Sequence, residues 1–517
     1  MAEESFSKNN CGKISFSSCS IFLFVYNIQI LFDNFALINL DCRMCKSVFI
    51  FLVFVLICLH TFAQFIGGVS DEKAFDMISD GTNLYMTGFT KSYGIGNRDG
   101  FVVKYQIVDH VISYNTWGKT EYDEFRSIYK AGDNIILGGY SYWRDGVGLA
   151  SVLTKLDENL QLEWTKPFGN WHYQHAYSTI MLQSGNYLLG GVDRSIGLYG
   201  PYIVKTDQQG ELIWEYTYEE YMPAHTVDIL QKENGNILLL SCQGGFFNPS
   251  TIWHMSSHAD ADVLFIEIDT DGSVVNDTIF QLPYHDIPVK ILSAPNDQFY
   301  LLWHSQSVNP GNSFDICLSL ISENYDFIWT KTYGGEGFEY AADMEIYDES
   351  NICIVGTSAS SGEEYPTIYY IKTDANGEVL EEEDVYTDYR GYAAGIEIID
   401  TVIYILATVT VEGDDNFVLL KNFELNKKSE FSPDLYVFPN PVTDYCKIVF
   451  NSMFFNNSTI QISIYNINGQ IVYESEYSIV DSDYVFEIDL SGFRAGQYFI
   501  KTENSDFSET TKIIVIK

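Results

Sequence analysis

The stretch Tyr202–Trp214, YIVKTDQQGELIW, decides how the chain is built. An apolar run meets an Asp, two amide side chains and a Gly, and a second apolar run ends in Trp. VLTKLDENLQLEW (Val152–Trp164), LFIEIDTDGSVV (Leu264–Val275) and YYIKTDANGEVL (Tyr369–Leu380) share the pattern, and FVVKYQIVDHVISYNTW and ICLSLISENYDFIW are looser copies. An Asp side chain at such a turn bonds to backbone two residues on, and Gly accepts the positive φ that follows. A calcium loop of the helix-flanked kind needs an acid twelve positions in. From Asp269 that place holds Phe280, so Asp207, Asp269 and Asp374 read as turn residues.

A second element precedes each copy: NLYMTGF, NIILGGY, NYLLGGV, NILLLSC, QFYLLWH, NICIVGT and VIYILAT. Its marker positions are Gly88, Gly138, Gly190, Leu240, Leu302, Gly356 and Ala407, spaced by 50, 52, 50, 62, 54 and 51 residues. Each unit holds four short strands. Near Gly190 these are Ala176–Leu182, then YLLGG, YIVKT and ELIWEY. Seven such units predict an all-β chain with a seven-bladed β-propeller over residues 64–428. A sandwich or β-helix also has evenly spaced strands, but a sandwich gives no reason for seven similar units and a β-helix usually has a shorter period. The Asp turn resembles the Asp-x-x-Gly-x-x-x-Trp turn of quinoprotein-type propeller repeats, a likeness that implies blade architecture and no bound quinone.

Composition agrees. Of 517 residues, 46% are hydrophobic and 15% aromatic, with 37 Tyr and 35 Phe, which favours strands. Asp and Glu number 70 against 29 Lys and Arg, a formal charge of −41. That surface repels nucleic acid and anionic membrane, so no nucleic-acid partner is expected.

The turns between first and second strands and between third and fourth strands are tight. The other connections are long and share the opposite face, where binding residues usually lie. Seven of the eight histidines after residue 63 fall in or beside them: His172, His175, His225, His254, His258, His285 and His304, with His110 the exception. Trp143, Trp171, Trp253 and Trp303 belong to the same set. This face is the candidate ligand-binding surface, for an extracellular glycan or a protein. Polar and aromatic residues also gather in loops without any site. WHMSSHADAD (Trp253–Asp262) is the most ligand-like run, and a metal ion at the His254–Asp262 loop is the one cofactor its residue types allow. No metal site is assigned, no catalytic motif appears, and no catalytic residue is named.

MCKSVFIFLVFVLICLHTFAQ (Met44–Gln64) has the grammar of a signal peptide. Lys46 supplies the charge, Val48–Leu59 the apolar stretch, and Thr61 and Ala63 the small residues before a cut at Gln64. Residues 1–43 then read as an over-called upstream extension and residues 44–63 as the signal peptide. The mature chain carries no membrane span, and its cysteines, Cys242, Cys317, Cys353 and Cys446, read as buried free thiols.

After a linker at residues 429–434, residues 435–517 form a small, sandwich-like β-domain. It opens on Phe438-Pro439-Asn440-Pro441 and continues through Ile464-Tyr465-Asn466 with Asn468-Gly469, a two-residue hairpin turn. Leu490-Ser491-Gly492, Ala495-Gly496-Gln497-Tyr498 and an apolar last strand complete it. These residues resemble the type A C-terminal sorting domain of the type IX secretion system of Bacteroidetes, with Phe493 and Gln497 as small departures. The resemblance implies export by the Sec machinery, recognition by the type IX outer-membrane machinery, and a secreted or surface-bound product. For the propeller, three readings stand: a binding or adhesion module, a polysaccharide hydrolase or lyase, and a structural surface-layer component.

Overall fold

A computed structural model describes residues 63–421 and 435–515, apart from 69, 120, 143–147, 170–172, 195–198, 245–260, 309–312, 349, 361–364, 386–389, 412, 439–444, 451–458, 479–484 and 504–507. Seven four-stranded antiparallel sheets follow one another along the chain. Blade 1 comprises Glu72–Ser79, Asn83–Thr90, Asp99–Gln106 and Val111–Trp117, and blade 2 Asp123–Ala131, Asn134–Tyr142, Leu149–Leu156 and Leu162–Phe168. Blade 3 runs Gln174–Met181, Tyr187–Asp193, Gly200–Thr206 and Leu212–Thr217, and blade 4 Ala224–Gln231, Ile237–Gln243, Asp262–Ile268 and Val274–Phe280. Blade 5 holds Asp286–Ala294, Gln298–Ser305, Asp315–Ile321 and Phe327–Tyr333, and blade 6 Glu339–Asp348, Asn351–Ser358, Thr367–Asp374 and Val379–Val385. First strands of consecutive blades touch all round the ring, which makes them the inner strands.

Blade 7 has only three strands in its own repeat: Arg390–Ile399, Val402–Val411 and Asp414–Lys421. Its outer strand is Ala63–Ile66, antiparallel to the third, with Ala63 opposite Leu420 and Ile66 opposite Phe417. The two ends of the propeller thus close the ring by main-chain hydrogen bonds, and the outer edge of Asp414–Lys421 is covered.

Most of the propeller core is seven apolar layers, one at each junction between blades, and a smaller cluster of Cys242, Ala261, Ile287, Phe314 and Tyr340 joins blades 4 to 6. The layer between blades 1 and 2 joins Tyr85 and Val102 to Phe125, Ile135 and Leu137. The layer across the seam joins Ile66, Phe417 and Leu419 to Leu84, Met86 and Phe101. Second strands are buried on both faces, as in Tyr187–Asp193, which explains their near-continuous apolar sequence. Outer strands such as Val274–Phe280 are largely exposed.

The Asp turns lock each blade to the one before it. Asp207 Oδ1 accepts hydrogen bonds from the backbone of Gln209 and Glu211 at 2.9 and 2.8 Å. Asp269 does the same with Asp271 and Ser273, and Asp374 with Asn376 and Glu378. The Gly that follows has φ of 76°, 87° and 77° at Gly210, Gly272 and Gly377. A Cβ on Gly210 would stand 2.7 Å from the Trp164 ring of blade 2, and on Gly377 2.9 Å from the Trp329 ring of blade 5. The repeating Gly and Trp are therefore one contact, made between successive blades. Where Gly is replaced, Leu160 (φ 61°) and Tyr325 (φ 67°) adopt the same backbone, and burial of their side chains offsets the strain.

The tail has a three-stranded sheet, ordered Leu435–Phe438, Tyr445–Phe450, Val485–Asp489, and a four-stranded one, ordered Ile471–Ser478, Thr459–Asn466, Gly496–Glu503, Ser508–Val515. Cys446, Ile448, Ile460, Ile462, Ile464, Phe486, Leu490, Ile500 and Ile513 fill the core. The turn at Asn468-Gly469 differs from the expected two-residue form. Only Gly469 has positive φ (73°), and the Asn466 N–H donates to the Gln470 carbonyl at 3.0 Å. Asn466 Oδ1 accepts from Asn468 and Gln470, so this is the same side-chain-braced turn that the blades use. Gly492 lies at the turn before Gly496–Glu503, and Gly496 and Tyr498 lie in that strand, where the Tyr498 hydroxyl donates to the Arg494 carbonyl at 2.9 Å. Pro439, Asn440 and Pro441 lie outside the described residues. All four cysteines of the described residues are buried thiols in no disulfide. No described helix is long and apolar enough to cross a membrane.

Candidate functional site

Every inner strand carries a β-bulge at the same place. The register shifts across Phe75, Arg126, Tyr177, Val227, Val289, Ala342 and Ala394, one residue per blade. A bulge re-aims the extra side chain, and here all seven line a single cavity of about 220 Å³. It lies near the start of the inner strands, toward the face that carries the long loops. The bulged backbone is held from the neighbouring blade: Thr408 Oγ1 accepts from the Ala74 N–H at 3.0 Å, and Thr357 Oγ1 from Ala393 at 3.1 Å.

One residue beyond the bulge, three carboxylates tie the ring together. Asp76, Asp228 and Asp343 each accept the N–H of their own next residue and one from the next blade, at Ile128 (2.9 Å), Ile291 (3.1 Å) and Ile396 (3.0 Å). Lys290 pairs with Asp343. Burial, with Asp343 adding to it against Lys290, pushes the Asp76 carboxyl up to about 7. Burial raises Glu397, farther along the inner strand of blade 7, to about 8, helped by Glu345.

The cavity wall itself has a different character. Among the described residues its charged side chains are Lys73 and Arg126, and no described Asp or Glu lines it. Phe75, Tyr177, Tyr340 and Tyr392 supply rings, His225 and His304 imidazoles, and Ala, Val and Pro most of the rest. The Arg126 guanidinium lies 3.8 Å over the Phe75 ring and 5.7 Å from Tyr140. Its Nη2 is 2.7 Å from Glu124 Oε2, and the other Glu124 oxygen pairs with Arg98. Burial alone would raise the Glu124 carboxyl, but the charges of Arg126 and Arg98 outweigh it and hold it below its ordinary value. Two cations thus share one carboxylate. Arg126 Nε and Nη1 are buried with no well-formed hydrogen bond among the described residues, and the Tyr140 hydroxyl is the guanidinium's other polar neighbour.

Of the residues singled out by sequence, His225 and His304 meet at this cavity. They are buried at strand ends, with rings turned inward rather than out along a loop. His175 stacks on Tyr140 (4.1 Å between centroids) and meets Tyr177 edge-on, and Tyr177 in turn meets His225. Burial pushes His304 down to about 3. Burial, with Arg126 adding to it, takes His175 to about 3, and burial with Arg194 takes His225 to about 4, so all three are neutral at pH 7. His285 stands apart, accepting the Ala261 N–H at its Nδ1 (3.2 Å). Trp303 is buried in the layer between blades 4 and 5, its Nε1 donating to Ser319 Oγ at 2.9 Å. His172, His254, His258, Trp143, Trp171 and Trp253 lie outside the described residues. Among the described residues no group of three or more His, Cys, Asp or Glu is placed to hold a metal ion.

Sequence reasoning missed the bulge residues. Their identities differ from blade to blade, and the one signal is positional: the residue before Asp76, Ser127, Ser178, Asp228, Lys290, Asp343 and Gly395 in the seven inner strands.

Among known proteins, the family model for the secretion system C-terminal sorting domain matches residues 436–517. No curated protein matches the chain in sequence. The fold is similar to that of the β-propeller domain of the Trilobed protease from Pyrococcus furiosus, at 10% identity and a TM-score of 0.40, covering 72% of this chain and 100% of that one. It is also similar to Kuenenia stuttgartiensis hydrazine synthase (11% identity, TM-score 0.43, 68% and 98% covered) and to the Neurospora crassa Pan2 WD40 domain (10%, 0.36, 57% and 88%). By its own seven four-stranded sheets the chain is a β-propeller, and it is followed by a C-terminal sorting domain of the type IX secretion kind at residues 436–517, which indicates export to the outer cell surface or the medium.

Proposed function

We propose that this protein is an exported binding module, with its ligand seated in the axial cavity. The observation that carries the reading is convergence: each of the seven blades turns one bulged side chain into one space, and the rings and the Arg so gathered suit recognition. Propellers repeat a rigid blade, and a shared axial mouth is where small differences between blades combine into one surface. The signal peptide at residues 44–63 would deliver the chain through the Sec machinery, and cleavage before Gln64 leaves Gln64–Ile66 to complete blade 7. The ligand is an extracellular glycan terminus or a protein segment small enough to enter the cavity.

The test uses the secreted protein on a glycan and peptide array, beside Ala342→Trp, which would fill the cavity from blade 6. Binding by the parent and loss in the filled variant supports the reading. Equal binding by both, with the variant folded, places the ligand elsewhere and overturns it.

A further inference from the structure

The cavity wall runs against the composition of the chain. Acidic residues outnumber basic ones 70 to 29, yet the wall carries Lys73 and Arg126 and no carboxylate. The nearby acids are turned to other work. Glu72 accepts from Thr90 Oγ1 at 2.7 Å and from the Gly68 N–H at 2.9 Å, Asp76 is held by Met77 and Ile128, and Glu124 lies between Arg98 and Arg126. Counting that last group, two guanidiniums and one carboxylate leave one positive charge, while the Lys73 charge at the same wall is offset by Asp415. The long-range field of the acidic surface is screened over about 8 Å at physiological salt, so these near charges set what the cavity holds.

Building on the axial-cavity reading, we infer that the ligand is a small monocarboxylic acid, such as an acidic sugar residue. Its carboxylate meets Arg126 and Lys73, and its body packs on Phe75, Tyr177, Tyr340 and Tyr392. Three observations carry this. Arg126 is 6% exposed and lines the cavity, and its Nε and Nη1 are buried with no well-formed hydrogen bond, the Tyr140 hydroxyl being the guanidinium's other polar neighbour beside Glu124. Leaving donors of a buried charged group unmade is costly, and a carboxylate matches the planar fork of a guanidinium. Phe75 fixes that guanidinium from one side, so the group is oriented before any ligand arrives. Size sets the rest: about 220 Å³ is below the roughly 300–1,000 Å³ of sites for drug-sized molecules, which suits one ring or a short acid. A single net positive charge at the wall matches a monoanion better than a dianion, which favours a carboxylate over inorganic phosphate.

The experiment is calorimetric titration of the full secreted protein with glucuronate, galacturonate and benzoate, beside glucose, benzyl alcohol and inorganic phosphate. At least one acid should bind, at least tenfold more tightly than its neutral counterpart and than phosphate. Arg126→Met keeps the stem over Phe75 and should lower that affinity tenfold or more. Because Glu124 is buried beside it, Arg126→Met with Glu124→Gln and, separately, Lys73→Met serve as second variants, each expected to weaken the acid and spare any neutral ligand. Binding of glucose or benzyl alcohol that equals the acids and is lost in Ala342→Trp would overturn the charge assignment and leave the axial reading intact. No binding by any acid, preference for phosphate, or acid binding unchanged in all three cation variants would overturn the inference. Acid binding that survives in Ala342→Trp would overturn both.

Discussion

Replacing Gly377 by Ala tests whether the repeated Asp-turn contact holds neighbouring blades together. Gly377 has φ of 77°, and the added Cβ would lie 2.7 Å from Lys331 Cγ and 2.9 and 3.1 Å from two atoms of the Trp329 ring. The left-handed backbone costs an L-residue about 1–2 kcal/mol. Forcing a methyl into an occupied contact adds about 1–3 kcal/mol. The sum is about 2–5 kcal/mol, and a control isolates the second part. Gly235 has a similar φ of 89° with nothing within 4 Å of its Cβ, so Gly235→Ala should lose only about 1–2 kcal/mol. Urea unfolding of the purified protein, followed by tryptophan fluorescence, measures both. If Gly377→Ala is no more destabilising than Gly235→Ala, the Gly–Trp contact contributes nothing and the repeat's pattern needs another cause.

Other perturbations probe the seam, the channel and the tail. Ile66 is 3% exposed in the closing strand, so Ile66→Ala should cost about 2–4 kcal/mol; a melting temperature equal to the parent's would show that the ring does not depend on its N-terminal strand. Burial raises the Glu397 carboxyl to about 8 in the folded chain against about 4.3 unfolded. The folded state therefore binds the extra proton, and stability attributable to Glu397 is full below pH 4, then lost as pH rises toward 8. Glu397→Gln should raise the melting temperature at pH 8 and leave it unchanged at pH 4; an equal shift at both would contradict the assignment. Deleting residues 435–517 should leave a folded propeller in the periplasm, and normal secretion of that truncated chain would contradict the role of the tail.

The architecture was readable because a blade leaves local traces. The marker positions fall about fifty residues apart, each Asp turn needs its Gly, and buried second strands read as unbroken apolar runs such as NILLLSC. The closing strand was not readable. Ala63–Ile66 pairs with residues about 350 positions away, and its four residues adjoin an apolar stretch whose sequence reads as a signal peptide. The site was half readable. The histidines were noticed for sitting beside long loops, but two of them turn out to be buried and neutral, with rings facing the axis. The bulge residues, Phe, Arg, Tyr, two Val and two Ala, share no chemistry. Only the circular arrangement makes them neighbours, and no local pattern records it.

The central claim is that ligand recognition happens on the axis, and alanine-methyl NMR reads it directly. Ala74, Ala341, Ala342, Ala393 and Ala394 line the cavity, whereas Ala131 and Ala150 are buried within blade 2 away from its wall. With alanine methyls labelled in the secreted protein, adding the tightest ligand found should shift the five axial resonances and leave Ala131 and Ala150 in place. Shifts confined to other alanines, with the five axial methyls unmoved at saturation, would contradict the account.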